Sequence, residues 1–431
     1  MDYREARAYM ETNPGVIELG LSRVRALLEE LGHPEKALKY IHIAGTNGKG
    51  SILSYISTVL THAGYRVGRY ISPTLYSYRE RFQIDGEPVS REVFTALTEQ
   101  IAGAVERIKK RGVSRPSAFE LETVLCFLYF QREHCDWVVL ECGMGGREDA
   151  TNVIPAPEAA VFAAISMDHM GYLGGSLEEI AEEKAGIIKN GTHVVTGRQA
   201  PQVQKVLEKA CSHEGVPLTL ADASLAKIEK NCLDGQVFVY QDCRMEISLP
   251  GSCQVENAVT AFEVLKVLQQ KGVRLTDQQI REGMKKTVWN GRFTCIGKKP
   301  YFFVDGAHNP AAAAKLKDSI ELYFKEKRLI FINGVFADKD YPEIIRLTAP
   351  LADKIFTVAT PGSKRALPAD RLAEAVAVVN PEVEACRSLE AAVQKAYDCA
   401  AEEDVIMAFG SLSFIGELTR IVEKYGERKS C

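Results

Sequence analysis

Short apolar runs alternate with segments of helical periodicity along most of the chain. The apolar runs are typical of strands that are buried on both faces, and in the first half they cover residues 41–44, 137–142, 159–166 and 192–196. Apolar residues at helical spacing mark the segments 14–32, 52–63, 91–111, 118–133 and 177–188. Buried strands separated by helices predict a parallel sheet that is covered by helices on both sides.

The pattern changes twice after residue 200. Short alternating segments in 215–250 predict a small antiparallel sheet appended to the first domain, followed by helices at 254–271 and 277–286. A second α/β alternation then begins, with strands near 301–305, 328–334, 354–359 and 404–409. Residues 72–90 contain Pro73, Gly86 and Pro88 and predict a long loop or a hairpin. We therefore predict a first α/β domain over 1–288, a linker at 289–292 and a smaller Rossmann-like α/β domain over 293–431.

Composition removes several classes of function. The 431 residues carry a net charge of −4, which gives no support for binding nucleic acid or an anionic membrane. No apolar run approaches the ~20 residues that span a bilayer. The 11 cysteines are odd in number and lack a C-x-x-C pair, which favours a reduced cytoplasmic protein without a zinc site.

A glycine-rich turn directly follows the apolar run 41–44. Its residues are Gly45, Thr46, Asn47, Gly48, Lys49, Gly50 and Ser51, and a helical segment follows. Glycines let backbone N–H groups surround a phosphate, and a helix N-terminus adds positive potential. Lys49 can reach the outer phosphates of a nucleotide, and Ser51 can face the accompanying metal. Such a turn can also be merely structural, but the strand, the lysine, the hydroxyl and the helix together favour an ATP-binding loop.

Three further polar groups lie at predicted strand ends, where open α/β sheets bind ligands. Glu141 is either an ion-pair partner or helix cap, or a magnesium ligand beside the phosphate loop. His169, in Asp168-His169, is either structural or part of the catalytic rim. Asp305 and Asn309 suit an N-capping turn before a proline, and Asp305 could instead accept from a ribose hydroxyl or order a cation.

Lys184 lies in a charged helical segment, and its spacing alone indicates a solvated lysine without a chemical role.

Several motifs together resemble one known family. They are GTNGKGS at 45–51, Ser72-Pro73, Glu141, GREDATNV at 146–153, Asp168-His169 with Leu173-Gly174, EKAGI at 183–187, Asn257-Ala258, Gly291-Arg292 and DGAHNP at 305–310. In this order the chain, from about residue 17 to 425, resembles the bacterial folylpolyglutamate synthases of the Mur ligase superfamily, which are often also dihydrofolate synthases. The resemblance implies an ATP-dependent ligase in which ATP phosphorylates a folate or pteroate carboxylate. The amine of L-glutamate then displaces the phosphate and forms an amide.

The resemblance also implies roles for individual residues. Those matching phosphate and nucleotide contacts are Thr46, Asn47, Gly48, Lys49, Gly50, Ser51, Asn257, Arg292 and Asp305. Ser72, Glu141 and His169 match the magnesium site, and Lys184 matches a lysine that the family carbamylates to hold a second magnesium ion. Lys49, His169 and Lys184 are the implied catalytic residues. The pterin-binding region corresponds to Ser117, Phe119, Glu148, Asp149 and Ala150, and His308 and Asn309 belong to the last motif. We expect ATP to lie between the domains of a monomer.

Three positions depart from the family pattern. Thr74 and Cys253 stand where many relatives have histidine, and Glu148 replaces a residue that is often leucine. Glu148 lies in the implied pterin pocket, which puts the choice of pterin in question. Two other hypotheses stay open: a Mur-type ligase for a different acid and amine, and a nucleotide-dependent switch that forms no amide.

Overall fold

The computed structural model describes residues 1–12, 20–168 and 170–429. Its largest element is an eight-stranded sheet in the first half of the chain. The strands are β1 (Tyr40–Ala44), β2 (Val67–Tyr70), β3 (Phe82–Ile84), β4 (Glu87–Pro88), β5 (Trp137–Glu141), β6 (Ala159–Phe162), β7 (His193–Gly197) and β8 (Leu218–Ala221). Their order is β4-β3-β2-β5-β1-β6-β7-β8, and all neighbours are parallel except for the antiparallel β2–β3 and β3–β4 pairs at one edge.

Helices cover both faces of this sheet. The first half of the chain contains α1 (Tyr3–Glu11), α2 (Ser22–Glu30), α3 (Lys49–His62), α4 (Arg91–Lys110), α5 (Ala118–Arg132), α6 (Met170–Leu173), α7 (Leu177–Ala185), α8 (Pro201–Glu214), α9 (Gln254–Gln270) and α10 (Asp277–Lys286). Because side chains alternate along a strand, Ile41 and Ile43 of β1 pack with α3, α9 and α10. Tyr40 packs with α4 and α5 on the opposite face, and Ala44 packs there with α7 and α8. The sheet is therefore the centre of a three-layer domain.

A small antiparallel sheet extends this domain. Its strands are β9 (Lys227–Cys232), β10 (Gly235–Tyr240) and β11 (Cys243–Ile247), in the order β11-β10-β9. Phe238 and Met245 are fully buried in the same core as α9, so the small sheet packs against the first domain.

The last third of the chain forms a separate α/β domain around a six-stranded sheet. Its strands are β12 (Thr294–Lys298), β13 (Tyr301–Asp305), β14 (Leu329–Asn333), β15 (Lys354–Thr357), β16 (Val383–Ala385) and β17 (Val405–Phe409). Their order is β12-β13-β17-β14-β15-β16, and only β12 is antiparallel to its neighbour. The helices are α11 (Pro310–Phe324), α12 (Tyr341–Thr348), α13 (Ala369–Ala377), α14 (Leu389–Cys399) and α15 (Leu412–Lys429). Phe303 packs on the side of α11 and α12, and Phe302 packs on the side of α14 and α15.

The predicted fold class is confirmed, with local differences. The strand predicted at 159–166 ends at Phe162, because residues 163–166 leave the sheet to hydrogen-bond the loop after β1. The helix predicted at 177–188 ends at Ala185, and Gly186 is its C-cap. In the segment 72–90 the hairpin alternative is right: β3 and β4 pair there and form the antiparallel edge. Strand β8 belongs to the parallel sheet, not to the appended antiparallel one, and β12 and β16 were not predicted.

The proposed division at 289–292 stays a prediction. Residues 287–293 form neither helix nor strand. The helix predicted at 14–32 is observed only as Ser22–Glu30, and residues 13–19 lie outside the described part of the chain. Among the described helices, none has the length and apolar character needed to cross a membrane.

Candidate active site

The loop between β1 and α3 is tied to the end of the neighbouring strand. Thr46 and Asn47 donate their backbone N–H groups to the carbonyl oxygen of Ala164, at 2.8 and 3.1 Å. The hydroxyl of Thr46 also donates to the carbonyl oxygen of Ser166 at 3.0 Å. Gly48 has a φ of +92°, and a Cβ there would collide with the side-chain oxygen of Asn257. These contacts fix the loop in one shape and leave the start of α3 facing the space between the domains.

Two lysines converge beneath this loop. Lys184 Nζ donates to the carbonyl oxygen of Gly45 at 3.1 Å, and Lys49 Nζ donates to the same oxygen at 3.2 Å. Lys49 Nζ also lies 3.7 Å from Glu141 Oε1, and Glu141 Oε2 accepts from the backbone N–H of Ser72 at 3.2 Å. The predicted residues Ser72, Glu141, Lys49 and Lys184 are therefore brought together at the ends of β2, β5 and β1 and on α7.

Burial controls the charges in this cluster. Burial, together with the neighbouring ammonium of Lys49, lowers the pKa of Lys184 to about 8. Burial raises the pKa of Glu141, and Lys49 opposes that rise. The interpretation of Lys184 as a solvated helix residue was wrong, because only 4% of it is exposed. Its helix buries Ile180, Ala181, Lys184 and Ala185, and this spacing places the lysine on the inner face.

A cavity of about 250 Å³, which we call the nucleotide cavity, lies between the domains beside the phosphate loop. The predicted nucleotide contacts that line it are Asn47, Gly48, Gly50, Ser51, Asn257, Arg292 and Asp305. Cys253, one of the departures from the family pattern, lines it as well. Asp305 accepts from the backbone N–H groups of Phe293 at 2.7 Å and Ala307 at 2.8 Å, which fixes its carboxylate at the cavity wall. The phosphate loop of the first domain and Asp305 of the second domain therefore line the same cavity.

A second cavity, of about 580 Å³, contains the predicted pterin-binding residues, and we call it the acid cavity. The lining includes Ser72, Ser117, Phe119, Glu148, Asp149, Ala150 and His308. Ser117 also caps α5 in a capping box with Glu120, so the helix start forms part of the wall. The ring of Phe119 lies so close to Gly143 that a Cβ there would be 2.5 Å from it. This cavity combines an aromatic face with carboxylates.

Three hydrogen-bond donors fix the carboxylate of Asp149. It accepts from the hydroxyl of Thr151 at 2.5 Å and from the backbone N–H groups of Thr151 and Met144 at 3.0 and 2.8 Å. Thr151 Oγ1 in turn lies 2.8 Å from Nε2 of His42. Burial lowers the pKa of His42 to about 3, so this ring is neutral and can donate one N–H to Thr151. Sequence reasoning assigned no role to His42, which lies in the middle of β1, or to Thr151, although Thr151 belongs to the GREDATNV motif.

Polar contacts cross from one domain to the other at Asp168. Asn309 Nδ2 donates to Asp168 Oδ2 at 3.1 Å, and Lys339 Nζ donates to Asp168 Oδ1 at 2.5 Å. The amides of Asn309 and Asn47 also exchange hydrogen bonds at 3.1 and 3.2 Å. Asn309 caps α11 through Ala312 N, so the capping interpretation is confirmed alongside this bridging contact.

Sequence reasoning also missed the cations on the C-terminal side of the acid cavity. Lys339 and Arg365 line it, in the loops that follow β14 and β15. Both loops lie at the carboxyl ends of parallel strands, and that placement was the signal that could have revealed them.

The predicted metal ligand His169 lies outside the described residues. Among the residues that are described, no group of three or more His, Cys, Asp and Glu side chains is arranged to hold a metal ion. Glu141 still fits magnesium, because this ion is usually held by one or two carboxylates, together with water and nucleotide phosphates. The magnesium assignment of Ser72, Glu141 and His169 therefore stays a prediction.

A P-loop domain is joined to a smaller α/β domain, and both domains line each of the two cavities. This architecture is that of a two-domain ligase. Family models agree: the Mur ligase middle domain matches residues 43–265, and the Mur ligase glutamate ligase domain matches residues 291–412. A dihydrofolate synthase/folylpolyglutamate synthase of Bacillus subtilis is 35% identical over 364 residues, which are 82% of this chain and 84% of the relative. A folylpolyglutamate synthase of Lacticaseibacillus casei is 35% identical, covering 85% of this chain and 88% of the relative.

Solved structures agree with these relatives. The Mycobacterium tuberculosis folylpolyglutamate synthase complexed with ADP superposes with a TM-score of 0.89 and 31% identity, covering 97% of this chain and 98% of the other. Escherichia coli FolC in complex with DHPP and ADP gives a TM-score of 0.86 at 27% identity, covering 99% of both chains. The chain belongs to the folylpolyglutamate synthase/dihydrofolate synthase family of Mur ligases, which are ATP-dependent ligases.

Proposed function

We propose that this ligase joins L-glutamate to a folate and also to dihydropteroate, with ATP as the energy source. One observation carries the proposal: Ser72, Glu141 and Lys49 form a continuous series of contacts between the two cavities. Ser72 lines the acid cavity and donates its backbone N–H to Glu141. Glu141 pairs with Lys49, and the chain neighbours of Lys49, Gly48 and Gly50, line the nucleotide cavity. A carboxylate in the first cavity can therefore approach a phosphate in the second.

The chemistry explains why positive charge is needed between the two cavities. A carboxylate is a poor acyl donor because its leaving group would be oxide, so one carboxylate oxygen attacks the γ-phosphorus of ATP and ADP leaves. The resulting acyl phosphate is attacked by the glutamate amine, which loses a proton as the amide forms and phosphate departs. The first step brings two anions together, and the ammonium group of Lys49 offsets their repulsion.

Magnesium fits the acidic member of this cluster. Glu141 is a buried carboxylate beside the phosphate loop, with Ser72 next to it, and His169 completes the implied ligand set. Magnesium neutralises phosphate charge and orients the transferring group when it is bound. We further propose that Lys184 is carbamylated and holds a second ion. Its buried position beside Lys49 and its lowered pKa favour the neutral amine that reacts with carbon dioxide.

The location of the glutamate site can be inferred from the positively charged residues of the acid cavity. Glutamate carries two carboxylates, and the C-terminal wall of the acid cavity contains Lys339, Arg365 and His308. Lys339 is 8% exposed and already bonds a carboxylate, Asp168. We propose that this wall receives the amino acid, whereas Phe119 and Asp149 on the opposite wall receive the pterin. A cytoplasmic monomer is the state we expect for an enzyme that uses ATP and has its described cysteines unpaired.

The decisive experiment measures phosphate release from ATP with magnesium and glutamate, in the presence of dihydropteroate, tetrahydrofolate or no acid. Release with dihydropteroate establishes dihydrofolate synthase activity, and release with both acids establishes a bifunctional enzyme. ATP binding without stimulation by either acid would contradict the folate assignment. It would favour a Mur-type ligase for another acid, or a nucleotide switch.

A further inference from the structure

Arg69 on β2 is a buried cation without a carboxylate partner. It is 9% exposed. Within the described part of the chain it forms no ion pair, although Asp85 acts on it from a greater distance and opposes the lowering of its pKa. Its Nη2 donates to the hydroxyl of Thr58 at 3.0 Å, whereas its buried Nε has no hydrogen-bond partner. Burial lowers the pKa of Arg69 to about 10, which still leaves it charged at neutral pH. A buried guanidinium that lacks a counter-ion is costly, because its donors have lost water without gaining an acceptor.

Arg69 lines a third cavity, of about 310 Å³. This cavity shares Ser72 and Pro73 with the acid cavity and Gly50 and Arg292 with the nucleotide cavity. It therefore lies beside the reaction centre and contains a second cation, Arg292, in its wall.

The two carboxylates of the cavity wall are engaged elsewhere. Glu80 Oε2 accepts from the backbone N–H groups of Leu75 at 3.1 Å and Tyr76 at 3.2 Å. Glu141 accepts from Ser72 and pairs with Lys49. Neither forms an ion pair with Arg69, and Asp85 attracts it only from beyond ion-pair distance. The cavity therefore contains a guanidinium that has no direct carboxylate partner among the described residues.

We propose that this third cavity is an oxyanion site in which Arg69 binds a carboxylate or a phosphate. A guanidinium presents parallel N–H donors that match the two oxygens of such a group. The proposal rests on the ligase function, which supplies two sources of this chemistry. One is the inorganic phosphate that the reaction releases. The other is the set of α-carboxylates on glutamates already attached to the acid.

The test uses the full chain with its nucleotide cavity saturated by magnesium ADP. The chain has two tryptophans, and Trp289 lines the third cavity, so its fluorescence reports occupancy. Inorganic phosphate and a γ-linked diglutamate peptide are titrated separately into the wild type and into the neutral variants Arg69→Gln and Arg69→Leu. Arg69→Lys keeps the charge without the planar fork, and Trp289→Phe shows that the signal comes from this cavity. Unchanged ADP affinity identifies the folded variants, and the use of two neutral replacements guards against misfolding of one.

We expect saturable binding to the wild type that is weakened at least tenfold in the neutral variants and less in Arg69→Lys. Tighter binding of phosphate assigns the site to the released product, and tighter binding of the peptide assigns it to the glutamyl tail. No saturable binding of either probe to the wild type, or equal binding to wild type and neutral variants, overturns the proposal. Because the titration needs no turnover, its failure leaves the ligase assignment intact, and an inactive enzyme with an Arg69-dependent site would leave the oxyanion site intact.

Discussion

Lys49 and Lys184 donate to one and the same acceptor, the carbonyl oxygen of Gly45, at 3.2 and 3.1 Å. Two ammonium groups this close repel each other, and the repulsion contributes to the lowered pKa of Lys184. Two changes relieve this repulsion: a phosphate group beside Lys49 supplies that ammonium with an anionic partner, and the proposed carbamylation of Lys184 removes the second positive charge.

Replacing Lys49 with methionine should abolish ligation. The substitution keeps the length of the side chain and removes the charge beside the transferring phosphoryl group, so we expect a loss of roughly a thousandfold or more in kcat. Steady-state phosphate release measures this loss. Lys189→Met is a matched control, since Lys189 is also partly buried and donates to two carbonyl oxygens, at 2.9 and 2.6 Å, away from the cavities. Near-normal turnover in Lys49→Met would remove this residue from the reaction.

Lys184→Ala should be equally inactive while retaining its fold. If the active form is a carbamate, added short carboxylates should restore part of the rate to Lys184→Ala. Lys184→Arg should stay inactive, because a guanidinium does not form a carbamate. Carbon-13 NMR of wild type equilibrated with labelled carbon dioxide should show a carbamate signal that Lys184→Ala lacks, whereas Lys189→Met should keep it. A variant at Lys184 with near-normal activity would contradict the carbamate assignment.

These two lysines show how far the sequence could be read. Lys49 follows a strand and a glycine turn, a local pattern whose chemistry is independent of the rest of the fold. Lys184 is buried only because α7 packs against the first sheet. The many charged residues of its segment make the buried face of α7 hard to recognise from the sequence. The central strands of the parallel sheets were predictable, since they are continuous apolar runs, whereas β2, β8 and β16 contain no such run. Contacts that join distant segments, such as Asp168 with Lys339 or His42 with Thr151, depend on tertiary packing and leave no short sequence pattern.

Thr151→Val should weaken binding of the pterin acid without changing the chemical step. The valine keeps the shape but removes the hydroxyl that donates to Asp149 at 2.5 Å. A hydrogen bond to a charged group contributes about 1.5–3 kcal/mol, so we expect KM for dihydropteroate to rise at least tenfold while kcat changes little. Thr98→Val is the control, since this buried threonine bonds only within α4. Equal losses in kcat and KM for both variants would indicate a general structural effect.

Lys339→Met should raise KM for glutamate at least tenfold, because it removes a buried cation from the proposed amino-acid wall. It also breaks the pair with Asp168 that joins the two domains. Affinity for ADP, measured by calorimetry, should stay near the wild-type value, since Lys339 does not line the nucleotide cavity. Lys364→Met changes an exposed lysine of the same domain and should leave both quantities unaffected. A selective loss of ADP affinity in Lys339→Met would place this residue with the nucleotide instead.

Acid should destabilise the first domain through His42. Its pKa is about 3 in the folded protein, compared with an ordinary histidine value of 6.5, because burial disfavours the charged ring. Between these two values the unfolded chain binds a proton that the folded chain does not, so the free energy of unfolding falls as the pH is lowered from 6.5 toward 3. The contribution of one such group approaches about 1.4 kcal/mol for each pH unit.

His42→Gln isolates this contribution. Glutamine can still donate to Thr151 but does not titrate, so the variant should lose less stability between pH 6.5 and 4.5 than the wild type does. Urea unfolding followed by tryptophan fluorescence, to which Trp137 on a strand of the same sheet contributes, measures the difference. His213→Gln, a change at a side chain that is 83% exposed, should keep the wild-type pH dependence. If His42→Gln and the wild type lose stability in parallel over this range, then His42 is not the buried neutral group that the predicted pH dependence requires.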